Sequence, residues 1–235
     1  LLPYTTLFRS LMPPPTAERE NGDVWIDPEM ATILSEMRAN PAPYYERMPI
    51  SEARDAFARV NAAWNVDPPR MFERRELTIP SRSGGLRARL YRPDDRRGRP
   101  LAIYIHGGGW TFGSVDTHDR TMAVLAAKGR FAVLGIDYRL APEFPFPAAV
   151  DDISDTVEAV RQGALGDAVD STNCALIGDS AGAALALSAM LGLADRSFIR
   201  SAVLVYGCYA PVFDTASHRR FGQGDYPLTT ERMGW

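Results

Sequence analysis

Two short glycine-containing motifs contain the residue types that acyl transfer requires. Residues 178–182 read Gly-Asp-Ser-Ala-Gly, with a serine at the centre, and residues 106–110 read His-Gly-Gly-Gly-Trp. A serine hydroxyl can attack an acyl carbonyl, and backbone amides held in place by glycines can bind the oxyanion that forms. We therefore predict that Ser180 is a nucleophile. The predicted oxyanion donors are the backbone amides of Gly107, Gly108, Gly109 and Ala181.

The serine motif lies where a buried strand passes into a helix. Apolar residues 175–177 precede it, and an alanine-rich stretch follows it. A sharp turn of this kind exposes the serine and leaves room only for minimal side chains two positions away, here Gly178 and Gly182. The helix directs its first amide and its positive dipole end toward the reacting oxygen. We assign Asp179 to supporting the turn, and a purely structural turn is the alternative interpretation.

The glycine motif follows a second apolar run, residues 101–105, and glycine lets this backbone approach a substrate closely. A flexible loop at a strand end is the alternative interpretation. His106 precedes the nucleophile in chain order, so we assign it to anchoring the loop rather than to the catalytic base. Trp110 and Phe112 are predicted to line a pocket. His118 is assigned a structural role, with the pocket rim as the alternative, and Asp116 or Thr117 is predicted to cap the helix that follows.

Strands and helices alternate from residue 100 onward, which predicts an α/β fold with a mostly parallel sheet and helices on both faces. A hairpin over 72–79 and 86–92 precedes this region, and two short amphipathic helices before the hairpin suggest a cap. We therefore divide the chain into an arm and helical cap over 11–69 and a core over 70–235. Residues 1–10 contain no initiator Met, and we interpret them as an assembly artefact.

The two motifs, together with DYRLAPEFPFPAAVDD over residues 137–152, resemble the hormone-sensitive-lipase-like family (bacterial family IV) of α/β-hydrolase esterases. The similarity covers residues 25–235. The segment 206–229 is similar, more loosely, to bacterial acetyl esterases. The resemblance implies an α/β-hydrolase fold with an N-terminal helical cap and an eight-stranded sheet. It also implies hydrolysis of short-chain, acetyl-type acyl esters through an acyl-enzyme, without a cofactor.

The resemblance further implies that a catalytic aspartate and then a histidine follow the nucleophile, well downstream of it. Only His218 follows Ser180 in this sequence. Asp214 could pair with His218 on one helix turn, but this region matches the segment just after the strand at 202–206. We therefore expect a C-terminally truncated fragment. The later strands and helices and the triad Asp and His would lie beyond residue 235, and the fragment would be inactive on its own.

Composition narrows the remaining choices. The 235 residues are 46% hydrophobic and 23% charged with a formal net charge of −3, which are values of a globular protein with no polyanionic partner. Runs of transmembrane length and metal-ligand spacings are not found, so we expect no membrane, nucleic-acid, metal or cofactor binding and a cytoplasmic location. Cys174 and Cys208 lie in apolar stretches and are predicted to be buried thiols. The oligomeric state is left open.

Two other functions on the same scaffold stay open at this point. One is an amidase or deacetylase, which would use the same nucleophile and oxyanion donors. The other is a non-catalytic protein that binds a small molecule in the pocket and lacks the catalytic histidine.

Overall fold

The computed structural model describes residues 26–224 and 226–234. The described residues fall into two compact units. One unit is Tyr44–Val212, and the other combines the described parts of Leu1–Pro43 and Phe213–Trp235. The supposed artefact at 1–10 and nearly all of the predicted N-terminal arm lie outside the described residues.

A six-stranded mixed sheet forms the centre of the Tyr44–Val212 unit. Its strands are β1 (Glu73–Ser81), β2 (Gly84–Arg92), β3 (Arg99–Ile105), β4 (Ala132–Ile136), β5 (Val169–Asp179) and β6 (Ile199–Val205). Their spatial order is β1-β2-β4-β3-β5-β6. β2 pairs antiparallel with β1 and with β4, whereas the β3–β4, β3–β5 and β5–β6 pairs are parallel. The predicted hairpin and the mostly parallel sheet are confirmed.

The described residues also form seven α-helices. They are α1 (Pro28–Ala39), α2 (Ile50–Ala62), α3 (Asp119–Gly129), α4 (Ala148–Arg161), α5 (Ala181–Gly192), α6 (Ala216–Phe221) and α7 (Thr230–Gly234). In the described ranges, none of the helices combines the length and the apolar character needed to cross a membrane.

Helices cover both faces of the central strands of the sheet, which are buried. Ile103 of β3 packs in one apolar cluster with Ile153 of α4 and Leu185 of α5. The next residue of β3, Tyr104, packs in a second cluster with Met122 of α3. Successive side chains of a strand point to opposite faces, so a strand covered on both sides becomes a continuous apolar run. The prediction of helices on both faces is confirmed.

The two N-terminal helices belong to different units. α1 begins at Pro28, where the side chain of the preceding Asp27 accepts a hydrogen bond from the Glu29 amide and caps the helix. α2 belongs to the unit that contains the sheet, and its Ala53 and Ala56 are buried. A cap function for the segment 11–69 stays a prediction.

The two cysteines differ in environment. Cys174 is buried on β5, as predicted, whereas Cys208 is exposed. The prediction of a buried thiol is therefore wrong for Cys208. The physical reason is that β6 is an edge strand of the described sheet and is itself mostly exposed, so Cys208, three residues beyond its end at Val205, is not covered.

Candidate active site

Ser180 lies at the sharp turn between β5 and α5. Its backbone has φ 52° and ψ −121°, a conformation that residues with side chains rarely adopt. The turn is fixed on both sides. The Ser180 amide donates to the Val205 carbonyl of β6 at 2.9 Å, and the Ser180 carbonyl accepts from the Ala183 amide at 3.1 Å. The structure therefore contains the strained strand-to-helix turn that a nucleophilic serine requires.

The glycines on either side of the serine are needed because the turn leaves no space for a Cβ atom. A Cβ at Gly178 would lie 2.5 Å from the backbone of Gly182. A Cβ at Gly182 would overlap the carbonyl oxygen of Ile105 and lie 2.6 Å from that of His106. Ile105 and His106 end β3 and begin the glycine loop, which we define as residues 106–113. The two motifs of the sequence are therefore in backbone contact.

The glycine loop presents amides that are free to bind a ligand. The Gly108 carbonyl accepts hydrogen bonds from the amides of Thr111 at 3.1 Å and Phe112 at 2.8 Å. Gly108 and Gly109 have φ of 128° and 57°, values that favour glycine. Within the described ranges, the amides of Gly108, Gly109 and Ala181 donate to no protein acceptor outside the helices and strands. Ala181 is the first residue of α5, and a helix has no internal acceptor for its first amides.

Gly107 does not supply a free donor, and its inclusion in the predicted oxyanion hole is corrected here. Its amide donates to Oδ1 of Asp179 at 3.0 Å. An amide that is already hydrogen-bonded to a carboxylate is not available to an oxyanion. The predicted set of donors is therefore reduced to Gly108, Gly109 and Ala181.

Asp179 connects the serine turn to the glycine loop. Besides the Gly107 amide, Oδ1 accepts from the Tyr104 hydroxyl at 2.7 Å, and Oδ2 accepts from the Tyr206 hydroxyl at 3.4 Å. Nε2 of His118 lies 3.8 Å from Oδ2. Burial raises the pKa of Asp179, but His118, Tyr104 and Gly107 together bring that pKa below its ordinary value. The carboxylate is therefore ionised at neutral pH, and it links the serine motif, of which it is part, to the glycine motif through the Gly107 amide.

His106 is buried at the start of the glycine loop. Its Nδ1 lies 2.8 Å from the Gly107 carbonyl oxygen, to which only a protonated Nδ1 can donate. The ring stacks on Tyr138 with centroids 4.3 Å apart, and the Tyr138 hydroxyl donates to the His106 carbonyl at 2.8 Å. Burial, and then the neighbouring His118, lower the pKa of His106 to about 3. These contacts support the anchoring role predicted for this neutral ring.

The two predicted pocket residues have different surroundings. Phe112 is buried, and its ring stacks on Phe57 of α2 with centroids 5.3 Å apart. Trp110 is 40% exposed and lines a cavity of about 380 Å³. Apolar side chains dominate the other walls of this cavity, among them Phe144, Phe146 and Leu185. Trp110, but not Phe112, therefore lines this cavity.

A larger cavity of about 710 Å³ lies beside Asp179, along β3, β5 and β6. Tyr104, His118 and Tyr206 line it together with Asp179. The sequence analysis did not identify Tyr104 or Tyr206 as site residues. Tyr104 could have been found, because a residue two positions before His106 on a strand points to the same face of the sheet.

His218 belongs to the other compact unit, where it lies in α6. Its Nδ1 is 2.6 Å from Oγ1 of Thr215, which caps this helix. The Asp214 carbonyl accepts a hydrogen bond from Arg219. Among the described residues, no hydrogen bond or ion pair joins Asp214 to His218, so the pairing considered above is not formed.

Comparison with known proteins places this arrangement in a family. A family model for the alpha/beta hydrolase fold matches residues 102–235, which include both motifs. The hyperthermophilic esterase of the archaeon Pyrobaculum calidifontis is 33% identical with a TM-score of 0.81, over 90% of this chain and 69% of that one. Ester hydrolase EH1AB1 from the Lake Arreo metagenome is 32% identical with a TM-score of 0.82, over 90% and 69%. The metagenomic carboxylesterase EstE1 is 35% identical with a TM-score of 0.73, over 80% and 66%.

The chain belongs to the α/β-hydrolase family. The three solved structures named above are esterases, in agreement with the resemblance to hormone-sensitive-lipase-like enzymes seen in the sequence. The chain spans between 66% and 69% of the length of these three esterases.

Proposed function

We propose that this chain carries the nucleophile and the oxyanion donors of a serine carboxylesterase that acts on short-chain acyl esters. The observation that carries the proposal is the backbone contact between the serine turn and the glycine loop at Gly182. This contact sets the loop with the free amides of Gly108 and Gly109 against the amino-terminal end of α5. The esterases that are 32–35% identical to this chain over the matched residues support the same assignment.

In the proposed mechanism, Oγ of Ser180 attacks the acyl carbonyl. The tetrahedral oxyanion receives hydrogen bonds from the amides of Gly108, Gly109 and Ala181. Each such donor typically contributes about 10²–10³ in rate. The alcohol then leaves with a proton, and a water molecule hydrolyses the acyl-enzyme by the same steps in reverse order.

The proton of Ser180 needs a base, and we propose that none of the three histidines of the chain provides it. The pKa of His106, about 3, makes this ring a weak base, and its Nδ1 already donates to Gly107. His118 precedes the nucleophile and its Nδ1 is hydrogen-bonded to Thr117. The base and its aspartate would come from outside these 235 residues. Loss of the base from a serine triad costs about 10⁶ in kcat.

The test is hydrolysis of 4-nitrophenyl acetate by the 235-residue chain and by its Ser180→Ala variant, each with and without added imidazole as an external base. We expect equal rates without imidazole. Imidazole hydrolyses the ester to the same extent in both samples, so the native chain should exceed Ser180→Ala by the part of the rate in which imidazole acts as the base for the serine hydroxyl. The corresponding octanoate ester and the anilide should give smaller differences, since we propose a short-chain ester as the substrate.

Each outcome separates the candidate functions. Turnover above about 1 s⁻¹ without imidazole that Ser180→Ala abolishes would show that the chain contains its own base and would refute the external one. A larger difference on the anilide than on the ester would favour an amidase. Absence of any Ser180-dependent hydrolysis would count against catalysis. It would favour the non-catalytic binding protein, which lacks a histidine suited to act as the base.

A further inference from the structure

Arg54 of α2 joins this helix to two loops beside the nucleophile. Its Nε donates to the Thr111 carbonyl of the glycine loop at 2.9 Å. Its Nη2 donates to the Ala141 carbonyl, in the loop after β4, also at 2.9 Å. Both Nη1 and Nη2 donate to the Glu143 carboxylate, at 2.8 and 2.6 Å. The Arg54 side chain is only 29% exposed, so one guanidinium group holds three partners in a largely protected place.

A second contact from the same helix supports the first. Phe57 lies three residues after Arg54 and therefore on the same face of α2. Its ring stacks on Phe112 with centroids 5.3 Å apart and an interplanar angle of 16°. Ala53 and Ala56 are 0% and 3% exposed, and their small side chains let the helix approach closely. α2 thus contacts the ring of Phe112 through Phe57 and the backbone carbonyl of Thr111 through Arg54.

Thr111 and Phe112 hold in place the peptide unit that carries a proposed oxyanion donor. The amides of Thr111 and Phe112 both donate to the Gly108 carbonyl. That carbonyl and the Gly109 amide belong to one planar peptide unit, in which the C=O and N–H bonds point in opposite directions. Fixing the Gly108 oxygen therefore fixes the direction of the Gly109 N–H. These contacts connect Arg54 to the Gly109 amide through the loop, so Arg54 need not contact a substrate itself.

We propose that Arg54 is a positioning residue of the glycine loop, which it holds so that the Gly109 amide points at the developing oxyanion. The planar guanidinium can reach the Thr111 carbonyl, the Ala141 carbonyl and a carboxylate at once, whereas the single ammonium of lysine cannot. The effect on catalysis rests on the proposed esterase function. The effect on the loop does not rest on that function, so an experiment can separate the role of Arg54 in the loop from its role in catalysis.

The first measurement is hydrogen–deuterium exchange of the 235-residue chain and its variants Arg54→Ala, Arg54→Lys and Arg59→Ala. Arg59 is an exposed arginine of the same helix and serves as the matched control. We expect Arg54→Ala to speed exchange in peptides covering residues 106–113 about tenfold. Arg54→Lys should have a smaller effect in the same peptides. Arg59→Ala should leave the loop unchanged, and peptides covering β5 should keep their rates in all three variants.

The second measurement is Ser180-dependent hydrolysis with imidazole, taken as the rate of each variant minus the rate of the same variant carrying Ser180→Ala. Arg54→Ala should lower kcat about tenfold or more and change KM less than about twofold, because a misdirected donor weakens mainly the transition state. Arg54→Lys should restore part of kcat, and Arg59→Ala should match the native chain.

Unchanged exchange at residues 106–113 in Arg54→Ala would overturn the proposal, and so would faster exchange that extends equally to β5. If Arg54→Ala fails to fold, Arg54→Lys decides by the same criterion. A native chain without Ser180-dependent hydrolysis would refute the esterase function, while the exchange data would still decide whether Arg54 holds the loop.

Discussion

Replacing Gly182 by alanine should destabilise the protein, whereas the same replacement at Gly192 should stabilise it. Both glycines belong to α5, one in its first turn and one at its last residue. A Cβ at Gly182 would overlap the Ile105 carbonyl oxygen and lie 2.6 Å from that of His106, and backbone atoms cannot rotate away. A Cβ at Gly192 would meet nothing within 4 Å. One chemical change therefore has opposite packing consequences at the two ends of one helix.

The expected magnitudes follow from these distances. Alanine favours a helix over glycine by about 0.5–1 kcal/mol, which is the whole effect expected at Gly192. A carbon atom packs against an oxygen at about 3.3–3.6 Å, so α5 must move away from the His106 carbonyl by roughly 0.7 Å or more to admit a Cβ at Gly182. Forced packing of this kind costs about 1–3 kcal/mol. When the middle of the first range is subtracted from the middle of the second, Gly182→Ala should lose about 1.2 kcal/mol of unfolding free energy.

Thermal unfolding of the 235-residue chain, followed by circular dichroism, measures both effects. A change of 1 kcal/mol shifts Tm by about 2–4 °C in a protein of this size. We therefore expect Gly182→Ala to lower Tm by about 2–5 °C and Gly192→Ala to raise it by about 1–4 °C. Urea titrations provide an independent midpoint. A Gly182→Ala variant as stable as the native chain would show that the turn and β3 separate freely, which would refute the close contact between the two motifs.

Two further predictions concern charge and thiol chemistry. The Arg87 hydrogen bond, above all, lowers the pKa of Asp116 to about 2, so this carboxylate stabilises the fold above about pH 4 and loses that effect as the pH falls toward 2. Because the Asp116 side chain is 58% exposed, Asp116→Asn should cost only about 0.5–1 kcal/mol at pH 7 and less at pH 3, measured by urea midpoints. Equal losses at both pH values would contradict this. In the native chain, one thiol, that of Cys208, should react rapidly with a disulfide reagent. This rapid reaction should be lost in Cys208→Ser. Burial raises the pKa of Cys174 to about 11, so Cys174 should react only in urea, and two rapidly reacting thiols would contradict the structure.

The strands and the serine turn could be predicted because their signals are local. An apolar run marks a strand buried on both faces, and the spacing of Gly178, Ser180 and Gly182 marks the turn whatever else surrounds it. The start of α3 was predicted wrongly by the same kind of reasoning. Asp116 and Thr117 are good capping residues, yet His118 occupies the cap position without a capping hydrogen bond.

Contacts between distant segments explain what the sequence could not predict. Asp116 is paired with Arg87 and Arg89 of β2 instead of capping α3. In the sequence, Asp152 is most simply a carboxylate that the dipole of α4 stabilises. In the structure it is fully buried and hydrogen-bonded to Arg139. In both cases the pairing partner lies outside the helix concerned, and local preference gives no information about that partner.

The same limit applies within the site. Three consecutive glycines indicate a loop that can bind an anion, but they do not indicate which amides remain free. The Asp179 side chain decides this, since it accepts the Gly107 amide and leaves the next two. The hydrogen bonds of Arg54 to residues 57 and 87 positions away have no signature in the sequence at all.

The strain at Ser180 shows why the motif alone does not define the site. A positive φ of 52° costs about 1–3 kcal/mol at a residue with a side chain, so the surrounding structure must hold it in place. The supports come from β6 through Val205 and from the end of β3 through Gly107 and His106. The glycine loop in turn rests on Arg54, which lies outside residues 102–235, the range that the family match covers. The geometry that makes a serine reactive is therefore distributed over segments far from the pentapeptide, and the N-terminal helix α2 is part of it.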